Sequence, residues 1–116
     1  DVLFWIKDLN GKFTWGNVAL LVELGLTRRE ELIGKTDYDI HPAYVAALVL
    51  ADDASVQAGN EVLNRIEFLG HRNMEARWFA TCKFPLRAAD GKISGTTGIA
   101  RPLKADSEYW LELPLG

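Results

Sequence analysis

The C-terminal part of the chain reads RWFATCKFPLRAADGKISGTTGIAR, from Arg77 to Arg101. Two long runs that contain aromatic and β-branched residues flank the dipeptide Asp90-Gly91. Asp-Gly between such runs is a strong hairpin signal, because glycine accepts the positive φ that a tight hairpin turn requires. We therefore predict two antiparallel strands, over residues 75–85 and 92–103, that are joined by this turn.

A second hairpin signal, Asn10-Gly11, lies near the N-terminus. It separates two strand-like runs, Val2–Lys7 and Lys12–Trp15. The first run is rich in aromatic and β-branched residues, which favour strands. The chain is therefore expected to begin with a β-hairpin.

Helix signals fill the region between the two hairpins. Asn17 suits a helix N-cap, Thr27 and Glu30 match a capping box, and Pro42 suits the first position of a helix. The predicted helices cover residues 17–24, 27–34, 36–40 and 42–58, and a further strand covers 61–69 before a turn at Gly70–Asn73. Strands at both ends with helices between them predict an α+β fold.

The composition describes an ordinary globular domain. The 116 residues are 48% hydrophobic and 25% charged, which is enough apolar surface for a packed core. The net charge of −3 argues against a nucleic-acid surface in this segment, because phosphate binding needs a basic stripe. The single cysteine provides no disulfide framework and fits a reducing compartment, so we predict a cytoplasmic location.

The long helix and the tail complete the pattern. We predict that one face of the helix is apolar and that its acidic residues point to water; the apolar set is Tyr44, Val45, Leu48, Val49 and Val56, and the exposed set is Asp52, Asp53 and Gln57. The apolar run in this region is far shorter than the roughly 20 residues that span a bilayer. We interpret residues 1–103 as one domain and residues 104–116 as an exit linker toward an output domain of a longer protein.

Three sequence segments, taken in order, resemble the PAS family of sensory domains. They are FWIKDLNGKF at residues 4–13, TRREELIGKTDYD at residues 27–39, and a late signature made of Trp78, KFPL at 83–86, DGK at 90–92 and GIAR at 98–101. The resemblance covers roughly Leu3 to Leu103. It implies a five-stranded antiparallel sheet of order 2-1-5-4-3, with helices over one face and a small cavity between them.

The resemblance also implies which side chains line that cavity. The candidate ligand-binding residues are Trp5, Leu21, Tyr38, Leu48, Phe79, Thr81, Lys83, Thr96 and Gly98. The chain departs from the family at one point. Where the family often ends its last strand with Asp-Ile-Thr, Arg101 is followed by Pro102-Leu103. This departure suggests an unusual coupling to the output domain.

No cofactor is predicted. Photosensors of the family carry a flavin-reactive cysteine on a short helix near the position of Asp37, whereas Cys82 lies in a strand, so a covalent flavin is disfavoured. Haem sensors of the family use a histidine within the long helix. His41 precedes that helix and His71 lies in a predicted turn, so haem and other metal sites are disfavoured as well.

Four charged residues have alternative interpretations. Asp37 and Asp39 are either an acid–base pair or, as we expect, capping groups that also form salt bridges with Lys83 or Arg65. Glu67 and Lys83 either pair across the sheet, form a weak surface ion pair, or point inward to orient a ligand. No nucleophile–base pair or phosphate-binding glycine loop accompanies them, so catalysis is not expected.

The faces of the strand 75–85 are ambiguous. Trp78, Cys82 and Phe84 lie on its more apolar side, while the resemblance places Phe79, Thr81 and Lys83 toward the helices. Both faces of the strand can be apolar if the face that points away from the helices is also covered. An uncovered apolar face would be unusual. We therefore predict a homodimer through Trp78, Phe84 and Ile99.

Together these features predict a sensory domain of a signalling protein. A small molecule in the cavity would shift the domain between two states that the output domain reads. Histidine kinases of two-component systems, diguanylate cyclases and helix-turn-helix transcription regulators carry such domains. The alternative is a ligand-free interaction module whose interior is filled by its own side chains. Neither nucleic acid nor a membrane is an expected partner of this segment.

Overall fold

The computed structural model describes residues 2–71 and 74–103, so the predicted linker 104–116 and the second half of the turn at Gly70–Asn73 lie outside the described residues. Five strands, three α-helices and one short 3-10 helix account for most of the described chain. In chain order they are β1 Leu3–Asp8, β2 Phe13–Gly16, α1 Val18–Glu23, the 3-10 helix Arg29–Glu31, α2 Asp37–Ile40, α3 Ala43–Gln57, β3 Val62–His71, β4 Met74–Arg87 and β5 Ile93–Pro102.

The strands form one antiparallel sheet in the order β2-β1-β5-β4-β3, which confirms the expected topology. The last strand therefore occupies the centre of the sheet. At Gly98, β5 lies opposite Trp5 of β1 on one side and opposite Lys83 of β4 on the other. The two ends of the described chain thus meet in the middle of the fold.

The two predicted hairpin turns are present. Gly11 and Gly91 adopt φ values of 76° and 84°, a region that is costly for residues with a side chain. The Asp8 carboxylate accepts hydrogen bonds from the backbone N–H groups of Asn10 and Lys12, and Asp90 accepts one from Lys92. These side-chain-to-backbone bonds favour the turn over an extended chain.

Local capping explains where the first helices begin. The Asn17 side chain accepts a hydrogen bond from the Leu20 backbone N–H, as predicted for an N-cap, and a second one from Phe4 of β1. The capping box predicted for Thr27 and Glu30 was off by one residue. Glu31 accepts from Thr27 and Arg28, because the helix that follows is a single 3-10 turn beginning at Arg29.

The orientation of α3 differs from the predicted stripe. Its buried residues are Val45, Ala46, Asp53 and Val56. Tyr44 and Leu48, both predicted to be on the apolar face, are exposed, and Asp53, predicted to face water, is buried. The reason is electrostatic, since Asp53 bonds a buried lysine on the sheet and so fixes the rotation of the helix.

The sheet has an inner and an outer face. Phe79, Thr81 and Lys83 of β4 are buried against the helices, which resolves the ambiguity of that strand. Apolar side chains from β1, β2, α1, β4 and β5 pack together on the inner face; they are Leu3, Phe13, Leu20, Leu21, Leu32, Phe79 and Ala100, with Leu32 contributed by the segment after the 3-10 helix. Next to this core, α2 and α3 lie over the same face and leave a space between themselves and the sheet.

Candidate functional site

A partly enclosed cavity of about 60 Å³ lies between the inner face of the sheet and the helices α2 and α3. Most of its wall is apolar and comes from Leu3, Trp5, Phe13, Leu20, Leu24, Ile40, Val49, Phe79 and Ala100. Its polar lining consists of Lys7, Asp37, His41, Glu67, Thr81 and Lys83. An apolar cavity with a few polar groups is typical of a small-molecule site.

Lys7 is the centre of the polar wall. Its side chain is 1% exposed, and its Nζ lies 2.5 Å from Oδ2 of Asp37 and 2.8 Å from Oδ2 of Asp53. The same Nζ lies 5.2 Å from the centroid of the Phe13 ring. Since Lys7 is on β1, Asp37 on α2 and Asp53 on α3, one buried ammonium group connects the sheet to two helices.

Asp37 has a second partner in the cavity wall. Its Oδ1 lies 3.4 Å from Nε2 of His41, which ends α2. Burial raises the pKa of Asp37, but the hydrogen bond with His41 and the charge of Lys7 outweigh that effect and hold the pKa below its ordinary value. Asp37 is therefore an ionised carboxylate at neutral pH, and its predicted bonding to Lys83 or Arg65 was wrong.

A second ion pair connects α3 to the other side of the cavity. Lys83 is buried on β4, and its Nζ lies 2.8 Å from Oδ2 of Asp52. Arg65 of β3 reaches the same carboxylate at 2.6 Å and lies 3.9 Å from Oε2 of Glu67. Burial raises the pKa of Asp52, and its bonds to Arg65 and Lys83 lower it further than burial raises it. Glu67 and Lys83 both line the cavity, so of the three alternatives for this pair the structure shows the one in which both side chains point inward.

The structure brings four of the predicted ligand-binding residues together in the cavity wall: Trp5, Phe79, Thr81 and Lys83. Gly98 lies directly beneath Trp5, where a Cβ atom would come within 2.3 Å of the indole ring. Gly98 therefore allows Trp5 to lie flat on β5, and it shapes the cavity without lining it. Any ligand-binding role of these residues stays a prediction.

The other predicted residues lie elsewhere. Leu21 and Thr96 are buried but do not line the cavity. Tyr38 is 51% exposed and Leu48 is 68% exposed, so their placement in the cavity needs correction. Val49, one residue further along α3, lines the cavity in place of Leu48, because Asp53 sets the rotation of that helix.

Lys7 and Asp53 are not among the predicted site residues. Both carried a signal, since Lys7 alternates with the inward-facing Leu3 and Trp5, and Asp53 shares a helical face with Val45 and Val49. Asp53 was predicted to face water because it is charged. Its helical spacing from Val45 and Val49 is the better guide to its burial.

The outer face of the sheet carries the residues predicted for a dimer interface. Ile99 is 37% exposed, Trp78 is exposed and Phe84 is partly buried. Trp78 packs on Phe68 of β3 with ring centroids 4.9 Å apart. Cys82 belongs to this outer face as well, opposite Ile99, and it is absent from the cavity lining. The side chain of His71 is outside the described part of the structure.

Over residues 2–71 and 74–103, no helix is long and apolar enough to cross a membrane. The longest helix described, α3, has 15 residues.

Comparisons with known proteins give a consistent result. A family model described as PAS fold matches residues 1–108. Among solved structures, VqmA bound to DPO is 27% identical with a TM-score of 0.80, over 90% of this chain and 53% of that chain. A second solved structure is a VqmA dimer of Vibrio cholerae in the absence of its target DNA, which is discussed as a LuxR-type receptor. It is 27% identical with a TM-score of 0.80, over 90% of this chain and 48% of that chain.

A PAS domain from Colwellia psychrerythraea matches with a TM-score of 0.71 at 16% identity, over 88% of this chain and 86% of that chain, and this likeness concerns the fold alone. The chain spans about half the length of the VqmA chains that it matches. A search among curated proteins gives no match.

We expect replacement of Lys7 by methionine to lower the free energy of unfolding by about 3–5 kcal/mol, because two buried carboxylates then lose their cationic partner. Urea denaturation at pH 7 measures this change. The matched control is Lys12→Met, on the exposed surface of the first hairpin, for which we expect a change within about 0.5 kcal/mol. Equal effects of the two substitutions would contradict the role given to Lys7.

The depressed pKa of Asp37 predicts an acid-dependent loss of stability. A carboxyl group whose pKa is lower in the folded state stabilises the fold above its unfolded pKa, and that stabilisation is lost as the pH falls through the folded pKa. Asp37 thus contributes fully at neutral pH, and the contribution is lost below its ordinary value of 3.8. We expect Asp37→Asn to flatten the dependence of the unfolding free energy on pH in this acid range.

The matched control for this measurement is Asp90→Asn in the exposed turn. It should keep the acid dependence of the wild-type protein. Parallel curves for the wild-type protein and Asp37→Asn below pH 4 would show that Asp37 is not held ionised by its buried partners.

Proposed function

The chain belongs to the PAS family, and we propose that it is the sensory domain of a signalling protein that binds a small molecule between its sheet and the helices α2 and α3. The observation that carries this proposal is the cavity of about 60 Å³, with an apolar wall and a polar side. Its volume exceeds the 10–15 Å³ or so that a single water needs. A compact small molecule is the occupant that fits.

The walls of the cavity suggest how occupancy is transmitted. Lys7 and Lys83 lie on β1 and β4, and each pairs with a carboxylate on the helices α2 and α3. β5 pairs with both of these strands and directly precedes the predicted linker. A ligand that favours one position of the helices over another shifts the population of states, and β5 carries the difference toward the linker.

The output domain is proposed from the neighbours. VqmA has been solved bound to DPO, and the Vibrio cholerae VqmA dimer is described as having a target DNA. Because the chain matches about half of VqmA, we propose that its own parent is a DNA-binding transcription regulator. A histidine kinase or a diguanylate cyclase would replace this proposal if such a domain follows the linker. A cytoplasmic location and a non-catalytic role are part of the same proposal.

Binding in the cavity can be tested with two neighbouring residues of α3. Val49 lines the cavity, whereas Leu48 points to solvent. We expect Val49→Phe to fill the cavity and abolish binding, and Leu48→Phe to leave binding intact. Native mass spectrometry measures the bound species, both on the protein as purified and after addition of DPO, the compound bound by VqmA.

The expected result is an additional mass on the wild-type protein and on Leu48→Phe that disappears on denaturation. Circular dichroism confirms that all three proteins are folded. A bare mass for the wild-type protein under both conditions, or the same additional mass on Val49→Phe, would contradict binding in this cavity.

A second candidate function, a dimerisation module, is favoured by the outer face of the sheet. Phe68, Trp78 and Ile99 are all exposed on this face, and large apolar side chains exposed on one face of a sheet favour an interaction surface. The two functions are compatible, since a dimer would hold two output domains together while each cavity senses its ligand. The proposed partner is a second copy of this chain.

We expect Ile99→Lys to weaken dimerisation by at least about tenfold, because a charge placed in an apolar interface must be desolvated. Sedimentation equilibrium measures the dissociation constant. The control is Val22→Lys, which places the same charge on another exposed β-branched residue, on α1 and away from the sheet's outer face. A wild-type protein that stays monomeric at high concentration would contradict the proposed interface.

A further inference from the structure

Thr81 is a buried polar residue in the cavity wall whose hydroxyl has no partner. Its side chain lies on the inner face of β4, and the residue is 1% exposed. The Oγ1 atom has no hydrogen-bond partner among the described residues. A buried hydroxyl without a partner is costly, and such groups in folded proteins usually have a reason.

Most of the other polar groups of the wall are already engaged. Lys7 bonds two carboxylates, Lys83 bonds Asp52, and Asp37 also contacts His41. A ligand would have to break one of these ion pairs in order to use them. The Thr81 hydroxyl is available at no such cost.

The charges around the cavity limit the ligand further. The cations are Lys7, Lys83 and Arg65, and the carboxylates are Asp37, Asp52, Asp53 and Glu67. Each of these three cations is already paired with a carboxylate, so none of them is free to bind an anionic ligand. A cation would have to give up its hydration in a mostly apolar cavity whose carboxylates are already paired.

We propose that the cavity takes an uncharged small molecule with an apolar body and one hydrogen-bonding atom that pairs with the Thr81 hydroxyl. Phe79 and Ala100, both buried beside Thr81, contact the apolar body. Thr81 then determines specificity, because an apolar analogue leaves its hydroxyl unpaired. This inference rests on the proposed binding function and adds the chemical class of the ligand to it.

The test uses two probes of similar size, phenol and toluene, which differ by a hydroxyl in place of a methyl group. Titrations followed by ¹H–¹⁵N chemical shifts give both dissociation constants, and their ratio is the preference for the hydroxyl. We expect this preference to fall roughly fivefold in Thr81→Val, which keeps the shape of the side chain and removes its hydroxyl. Thr81→Ser should keep the preference.

The ratio of the two dissociation constants is compared between variants. Because the same two probes are used each time, their different solubilities affect every ratio equally and cancel. Thr81→Ala, compared with Thr81→Ser, provides a second pair if the valine variant fails to fold. An unchanged preference in the variants without a hydroxyl would overturn the role of Thr81 and leave the binding function intact. If neither probe shifts the resonances of the folded wild-type protein, the inferred ligand class is overturned, whereas the binding function itself is decided by native mass spectrometry with the purified protein and with DPO.

Discussion

The contact on which the rest of this structure depends is the buried ammonium group of Lys7 between Asp37 and Asp53. It is the point where β1, α2 and α3 meet. An isolated charge at this depth would be strongly unfavourable, so each of the three elements requires the other two. Apolar packing alone would allow α3 to rotate or slide on the sheet. The ion pairs fix its rotation, and that rotation leaves Val49 on the cavity side and Leu48 in solvent.

This arrangement explains why a cavity exists beside a well-packed core. Leu3, Phe13, Leu20 and Phe79 belong to that core and also form one part of the cavity wall. Across the cavity, α2 and α3 are held to the sheet by charged side chains that span the gap. Burying paired charges adds little net stability but defines one geometry well. This arrangement suits the proposed sensory function, because a ligand in the cavity would alter the relative positions of sheet and helices without unfolding the core.

Much of the fold could be predicted from the sequence, while the ion pairs of the site could not. Asn10-Gly11 and Asp90-Gly91 each fix a hairpin by turn chemistry alone, and alternation along β4 left only the choice of face. Phe79, Thr81 and Lys83 followed from the family resemblance. The partners of Lys7 are 30 and 46 residues away along the chain, and no local pattern relates them. Asp53 was predicted to be exposed because an unpaired carboxylate is costly to bury. Its burial depends on Lys7, which only the tertiary fold brings near.

The measurement that tests this account most directly is ¹H–¹⁵N spectroscopy of the lysine ammonium groups at neutral pH, assigned by single Lys→Arg variants. A buried ammonium bonded to two carboxylates exchanges its protons slowly with water, so Lys7 should give a protected signal, as should the buried Lys83. Exposed Lys12 provides the reference for rapid exchange. A Lys7 signal that exchanges as rapidly as that of Lys12 would show that the ammonium group is solvated, and the geometry of the cavity derived from it would not hold.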